Sequence, residues 1–229
     1  MSATAETLKQ MYEAMLGRFG HQGWWPVAAG DGPGEGATEI CVGAILTQNT
    51  NWTNVEKALA NLRAADCLSV AALHGASHEA LAALIRPAGY FNVKAKRMKN
   101  FMRAVFEAFG DDVEAFLDRP TDTLRRELLS INGIGRETAD SIVLYAADKL
   151  SFVVDTYTHR ILMRHGLIWP EDDYESIKEL FETNLADDVA LWKDYHAQLV
   201  AVGKHYCRPK VRCSGCPLEA FDHDPDAGL

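Results

Sequence analysis

The chain has 229 residues, 48% of them hydrophobic and 24% charged, which suits a water-soluble globular protein of one or two domains. A formal net charge of −9 excludes a protein that coats nucleic acid indiscriminately, though not one with a local basic face. No apolar run is long enough to span a bilayer, and the stretch from Met1 to Met15 has no apolar core followed by a cleavage site. No membrane partner and a cytoplasmic location are therefore expected.

Taken in chain order, the periodicity is helical nearly throughout. Leu8, Met11, Tyr12, Met15 and Phe19 fall at spacings of three and four and predict an N-terminal helix. Trp24-Trp25-Pro26 follows, and the Gly/Pro-rich stretch from Gly30 to Gly36 is the one flexible linker expected. Val55, Leu59 and Leu62 define another helix, as do Phe101, Val105 and Phe109. Breaks are expected at Gly89, at Gly110 to Asp112 and at Pro120. Two basic stretches, Lys94 to Arg103 and Lys204 to Arg212, read first as solvated helix faces and second as places for phosphate. Ser151 to Val154 is the only extended run. Ile177, Leu180, Phe181 and Leu185 mark a late helix opened by a capping box of Asp172 and Glu175. The fold class expected is all-α, built from many short helices.

Leu128 to Ala139 carries more information. Apolar residues at helical spacing lead into Asn132-Gly133-Ile134-Gly135-Arg136, and Ala139, Ile142, Val143 and Ala146 form the stripe of a second helix. Glycines let the turn take positive φ and let another backbone approach. The start of the second helix offers N–H groups and a positive dipole end to a phosphate. Gly133, Ile134, Gly135 and Arg136 are thus the candidate phosphate-binding residues. The same pattern also serves an ordinary helix–turn–helix corner. Beyond it, Phe152-Val153-Val154 delivers Asp155 to the start of another amphipathic helix. Asp is a strong N-cap, and a capping carboxylate is rigid and stays ionised.

Gly-Ile-Gly-Arg-x-Thr-Ala followed by Val-Val-Asp-Thr-x-x-x-Arg resembles the helix-hairpin-helix plus Gly/Pro-Asp signature of endonuclease III and its relatives. Ile45-Leu46-Thr47-Gln48-Asn49-Thr50 is similar to the segment whose glutamine fills the gap left by an extruded base. Cys207-x5-Cys213-x2-Cys216-Pro217 is similar to the family's iron–sulfur loop. The likeness runs from about Gly43 to Pro217. It implies a base-excision glycosylase acting as a monomer on damaged double-stranded DNA in the cytoplasm, at the nucleoid, with Asp155 as the catalytic carboxylate. It also implies two helical lobes, a barrel over residues 31–147 and a second lobe of 1–30 plus 148–229, with Asp155 where they meet.

Family members that nick DNA carry a lysine in the second hairpin helix, and Glu137 stands at that position here. A carboxylate cannot form the imine, so a monofunctional enzyme with absent or weak lyase activity is expected, Glu137 being a second active-site acid or simply a helix-start residue. Trp-Trp-Pro, Leu-Thr-Gln-Asn-Thr and Arg86-Pro87-x-Gly89-Tyr90-x-Asn92-x-Lys94-Ala95-Lys96-Arg97 resemble the 3-methyladenine glycosylase branch, which implies Trp24, Trp25 and Trp52 near a flipped, alkylated base. Indole faces suit a cationic purine. Mismatched thymine or uracil and oxidised pyrimidines are alternative substrates, and a non-catalytic DNA-binding module is the alternative outside enzymes. The cysteine loop departs from the pattern, because Asp222 stands where a fourth cysteine is expected. A 4Fe–4S cluster held by Cys207, Cys213, Cys216 and Asp222 is one reading, with His223 an adjacent alternative ligand; zinc or no metal are the others.

Overall fold

The computed structural model describes residues 2–26 and 35–227. It is helical with no β-strand among those residues. None of its helices is long and apolar enough to cross a membrane. The chain divides into two compact units, Met1–Trp24 with Leu150–Leu229, and Trp25–Lys149. The linker expected at Gly30–Gly36 falls mostly outside the described residues, and Gly36 already belongs to a helix.

Helix α1 (Ala3–Phe19) is opened by Ser2, whose hydroxyl accepts from the Ala5 amide, and closed by Gly20 at φ +67°. Its buried stripe is Leu8, Met11 and Met15, as the spacing predicts. In the Trp25–Lys149 unit, α2 (Glu35–Leu46) buries Cys41, Val42, Ala44, Ile45 and Leu46, so it is hydrophobic around most of its circumference and forms the interior. Helices α3 (Trp52–Ala64), α6 (Phe91–Phe109) and α7 (Val113–Leu117) pack against it, α4 (Val70–Gly75) and α5 (His78–Leu84) pack against α6, and α8 (Thr121–Ser130) leads into the hairpin. Asn51, Ser69, Ser77 and Asp112 cap four of them by accepting an amide three residues on. Helix α9 (Arg136–Ser141) runs into a π-helical turn, Ile142–Ala146, whose Ile142 and Val143 are fully buried.

The other unit continues with α10 (Thr156–Arg164), α11 (Tyr174–Asn184) and α12 (Val189–His205). The cap of α11 is Asp173, which accepts from the Ser176 amide at 3.0 Å, and Asp172 instead accepts from the Trp169 amide. The capping box read one residue upstream is corrected accordingly. Phe152 and Phe181 stack with centroids 3.9 Å apart, and the buried Tyr195 donates to the Leu8 carbonyl at 2.9 Å, tying α12 to α1. Gly203 lets α12 approach α10. A Cβ there would lie 2.6 and 2.7 Å from Cγ and Cβ of Tyr157, atoms too near the backbone to swing aside. Gly203→Ala is expected to cost about 1–3 kcal/mol of stability, read by urea denaturation; a loss within a few tenths would show that the helices part freely.

The basic stretch of α6 is largely not a solvated face. Lys94 is buried and its Nζ donates to the carbonyls of Leu46 and Ala88, both at 2.8 Å, joining α2 to the turn before α6. Burial, and secondarily the charge of Arg97, lower its pKa to about 8. Lys99 likewise donates to the carbonyls of His74 and Ala76.

Candidate active site

Val153 and Val154 are buried, which anchors the chain immediately before Asp155, and the Phe152 amide is held by Glu182 at 2.8 Å. Asp155 is the N-cap of α10. Its Oδ1 accepts from the amide and the hydroxyl of Thr158, at 2.7 and 3.0 Å. One carboxylate oxygen is therefore consumed by the helix. The other, Oδ2, faces Nε2 of His196 at 3.7 Å, within ion-pair range but beyond a hydrogen bond. The Asp155 side chain is only 11% exposed. Burial pushes its carboxyl pKa up, but the His196 ring and the two Thr158 donors outweigh burial and hold it below the ordinary value. Asp155 is thus a fixed carboxylate at neutral pH, with one oxygen available to accept a proton from water or to face a developing positive charge.

The sequence did not single out His196. It lies on α12, which is buried on nearly all sides from Trp192 to Gly203, so no helical stripe marks it. Its ring meets the edge of Trp24 with centroids 6.2 Å apart, and Lys204 lies over the Trp24 ring at 5.5 Å. Within this unit, then, Trp24 belongs with Asp155's histidine.

In the other unit, Trp25 packs edge-on against both Trp52 and Tyr145, each with centroids 5.2 Å apart. Gly43 makes room for the indole, since a Cβ there would lie 3.1 Å from it. Trp25 and Trp52 are half-buried, and Tyr145, which the sequence had not marked, completes this aromatic group. The hairpin Ile131–Gly135 has Gly133 at φ +101°, and a Cβ there would lie 3.0 and 3.1 Å from Cδ and Cβ of Arg97. Ile134 is buried and its amide donates to the Ile131 carbonyl, whereas Gly135, Arg136 and Glu137 are exposed at the start of α9.

Gln48 is tied to that hairpin. Its Nε2 donates to the Gly133 carbonyl at 3.2 Å and to Thr138 Oγ1 at 2.8 Å, and its Oε1 accepts from Arg97. To enter a gap in DNA it would have to exchange these three partners. Tyr90, in contrast, is 72% exposed and held at φ 45°, a left-handed conformation uncommon for an aromatic residue, at the mouth of α6.

The C-terminal loop brings Cys207, Cys213 and Cys216 to the wall of one small pocket. Arg164, itself buried, donates to Cys207 Sγ at 3.2 Å and to the Arg208 carbonyl at 2.8 Å. Asp222 does not line that cavity. Its side chain is exposed and its carbonyl engages Nδ1 of His165 at 3.0 Å, while His223 does line the cavity.

Residues 42–187 match the profile of the HhH-GPD superfamily base excision DNA repair protein. The chain is 47% identical over 217 residues, 94% of its length and 96% of the relative's, to a protein of Methanocaldococcus jannaschii named as a DNA repair glycosylase. It is 30% identical over 184 residues to an endonuclease III of Thermotoga maritima, covering 79% of both chains. Among solved structures it resembles a 3-methyladenine DNA glycosylase of H. pylori bound to 1,N6-ethenoadenine, with a TM-score of 0.73 and 27% identity over 88% of this chain and 97% of that one. The chain belongs to the HhH-GPD superfamily of base excision DNA repair proteins and is a DNA glycosylase of the endonuclease III type.

Proposed function

We propose that this glycosylase removes alkylated, positively charged purines such as 3-methyladenine and leaves the DNA strand intact. The observation that carries the catalytic part is the division of labour on Asp155, where Oδ1 caps α10 and Oδ2 stays clear of the cap. Oδ2 orients and deprotonates a water, or faces the oxocarbenium-like sugar as the base departs. A cationic base is already a good leaving group, so no strong general acid is required. The half-buried Trp25 and Trp52 supply the π surface that favours a cation over a neutral base, with the buried Tyr145 packed against Trp25. The H. pylori relative, whose own substrate class is in its name, supports the same reading.

At the second position of α9, Glu137 offers no amine, so no Schiff base forms and the product is an abasic site. The exposed start of α9, with Gly133, Gly135 and Arg136 and with Ile134 as the buried anchor, binds phosphate. Gln48 and Tyr90 occupy the distorted duplex. Tyr90 wedges, and Gln48 exchanges its hairpin partners for a base edge. The partner is duplex DNA bound by a monomer. The thiols of Cys207, Cys213 and Cys216 are the donors an iron–sulfur cluster would use, and when bound it would supply a rigid frame for the loop bearing Arg208, Lys210 and Arg212, although among the described residues no three His, Cys, Asp or Glu side chains come together to hold a metal ion.

The test is duplex DNA alkylated with a radiolabelled methyl donor, with free bases resolved by chromatography and strand breaks scored with and without alkali. Release of 3-methyladenine, with breaks only after alkali, is expected. Release from uracil or thymine-mismatch duplexes but not from alkylated DNA would overturn the substrate reading. Nicking without alkali would overturn the role given to Glu137.

A further inference from the structure

Gln48 follows α2 and Tyr90 precedes α6, and both are read above as entering the distorted duplex. We propose that Lys94 is the positioning residue that fastens these two tips to each other, so that they enter DNA as one element. This rests on that reading of Gln48 and Tyr90.

Lys94 reaches both tips. Its Nζ donates to the Leu46 carbonyl, two residues before Gln48, and to the Ala88 carbonyl, two residues before Tyr90, each at 2.8 Å. Its own amide donates to the Tyr90 carbonyl at 3.0 Å. Leu46, Ala88 and Lys94 are all buried, so each carbonyl depends on the protein for its donors. Leu46 ends α2, where carbonyls lack intrahelical partners and the dipole favours a cation. A buried ammonium suits that place, and an apolar side chain of similar length would leave both carbonyls without it.

The chain beyond each carbonyl has little slack. On the Gln48 side, the Thr47 amide and hydroxyl both donate to the Gly43 carbonyl, at 2.8 and 2.6 Å, and the Thr50 amide donates to the Thr47 carbonyl at 3.2 Å. Asn49 closes this turn at φ 53°. On the Tyr90 side, Gly89 and Tyr90 stand in succession at φ 70° and 45°. A shift of either carbonyl is therefore carried to the tip two residues on. The clasp holds backbone only, so the Gln48 amide stays able to exchange its hairpin partners for a base edge. Tips held at a fixed spacing before binding lose less freedom on entering DNA. Lys99, further along α6, makes the same kind of clasp on the carbonyls of His74 and Ala76 at the end of α4, where neither tip is attached. It has the same charge and the same chemistry, and it serves as the control.

The experiment uses the full chain and a duplex with a stable abasic-site analogue opposite 2-aminopurine, whose fluorescence reports its stacking. Signals are read at saturating protein, so they follow the geometry of the complex and not its affinity, which titration gives separately. The wild type is expected to change the fluorescence, and Gln48→Ala and Tyr90→Ala each to lose most of that change. Lys94→Met should lose it as well and bind roughly tenfold more weakly, whereas Lys99→Met should keep both. Urea denaturation checks that the variants are folded. A full signal in Lys94→Met, or an equal loss in Lys99→Met, would overturn the assignment. A full signal in both Gln48→Ala and Tyr90→Ala would instead overturn the reading of the tips beneath it. If Lys94→Met does not fold, the double variant Gln48→Ala with Tyr90→Ala decides. Tips fastened together give a loss of affinity well short of the product of the two single losses, and a full product would overturn the proposal.

Discussion

Asp155→Asn is expected to lower the single-turnover rate of base release by roughly 10²–10⁴-fold, while leaving folding and affinity for an abasic-site duplex nearly unchanged. The geometry makes this variant selective. Asn caps helices about as well as Asp, so an amide oxygen at the Oδ1 position still accepts from Thr158 and α10 keeps its start. What disappears is the negative charge at Oδ2, the atom proposed to face water and sugar. Asp155→Ala, by contrast, also deletes the cap and should cost about 1 kcal/mol of stability in addition. Rates on alkylated duplex, titration of abasic-site duplex and thermal melts separate these effects. Equal loss of excision and binding in Asp155→Asn would mean that Asp155 is chiefly structural, and unchanged excision would remove it from the chemistry. The folded pKa lies below the ordinary carboxylate value, so the charged form persists through neutral pH. The cap's charge-dependent stability is present above the unfolded pKa and fades only as pH falls through the folded one.

Asp155 was legible because a cap is local. Its partner Thr158 is three residues along, so the motif and its hydrogen bonds sit in one stretch of sequence. The hairpin was legible for the same reason, as the positive φ that calls for Gly133 belongs to the turn itself. The cap of α11 was missed by one residue because Asp172 and Asp173 are chemically equal in sequence, and only the entry angle of the chain decides which reaches Ser176. Lys94 and Lys99 were misread because a cation buried on backbone carbonyls looks, in sequence, like one facing solvent. His196 was invisible because α12 is buried nearly all round and periodicity cannot distinguish its faces. That His223 lines the pocket of the cysteine loop and Asp222 does not depends on how an irregular loop folds, for which neighbouring letters carry no period.

Asp140→Ala is expected to destabilise the protein by about 3 kcal/mol and to weaken its grip on duplex DNA. Asp140 is fully buried on α9 and takes Arg125 of α8 in a two-pronged pair, Nε to Oδ1 at 2.7 Å and Nη2 to Oδ2 at 3.1 Å. The pair bridges the two helices that flank the Gly133–Gly135 turn, so it sets the angle at which the hairpin is offered to phosphate. Two parallel hydrogen bonds fix that angle in a way that a single contact or a flexible lysine would not. Removing the carboxylate takes both of these hydrogen bonds from a guanidinium whose side chain is only 21% exposed, so part of the desolvation already incurred by Arg125 goes uncompensated. That partial exposure is why the loss belongs near the lower end of the range for broken buried pairs. Removing both charges together, as in Arg125→Met with Asp140→Leu, should recover much of the stability, because an apolar pair leaves neither of these two charges facing an empty place. It should not recover the DNA affinity, since the hydrogen bonds that set the hairpin angle are still gone. Urea denaturation and salt-dependent binding of an undamaged duplex read the two effects separately. A double variant that regains both would show that burial, and not the directed pair, sets the hairpin. A single variant that loses less than about 1 kcal/mol would place Arg125 among ordinary surface ion pairs.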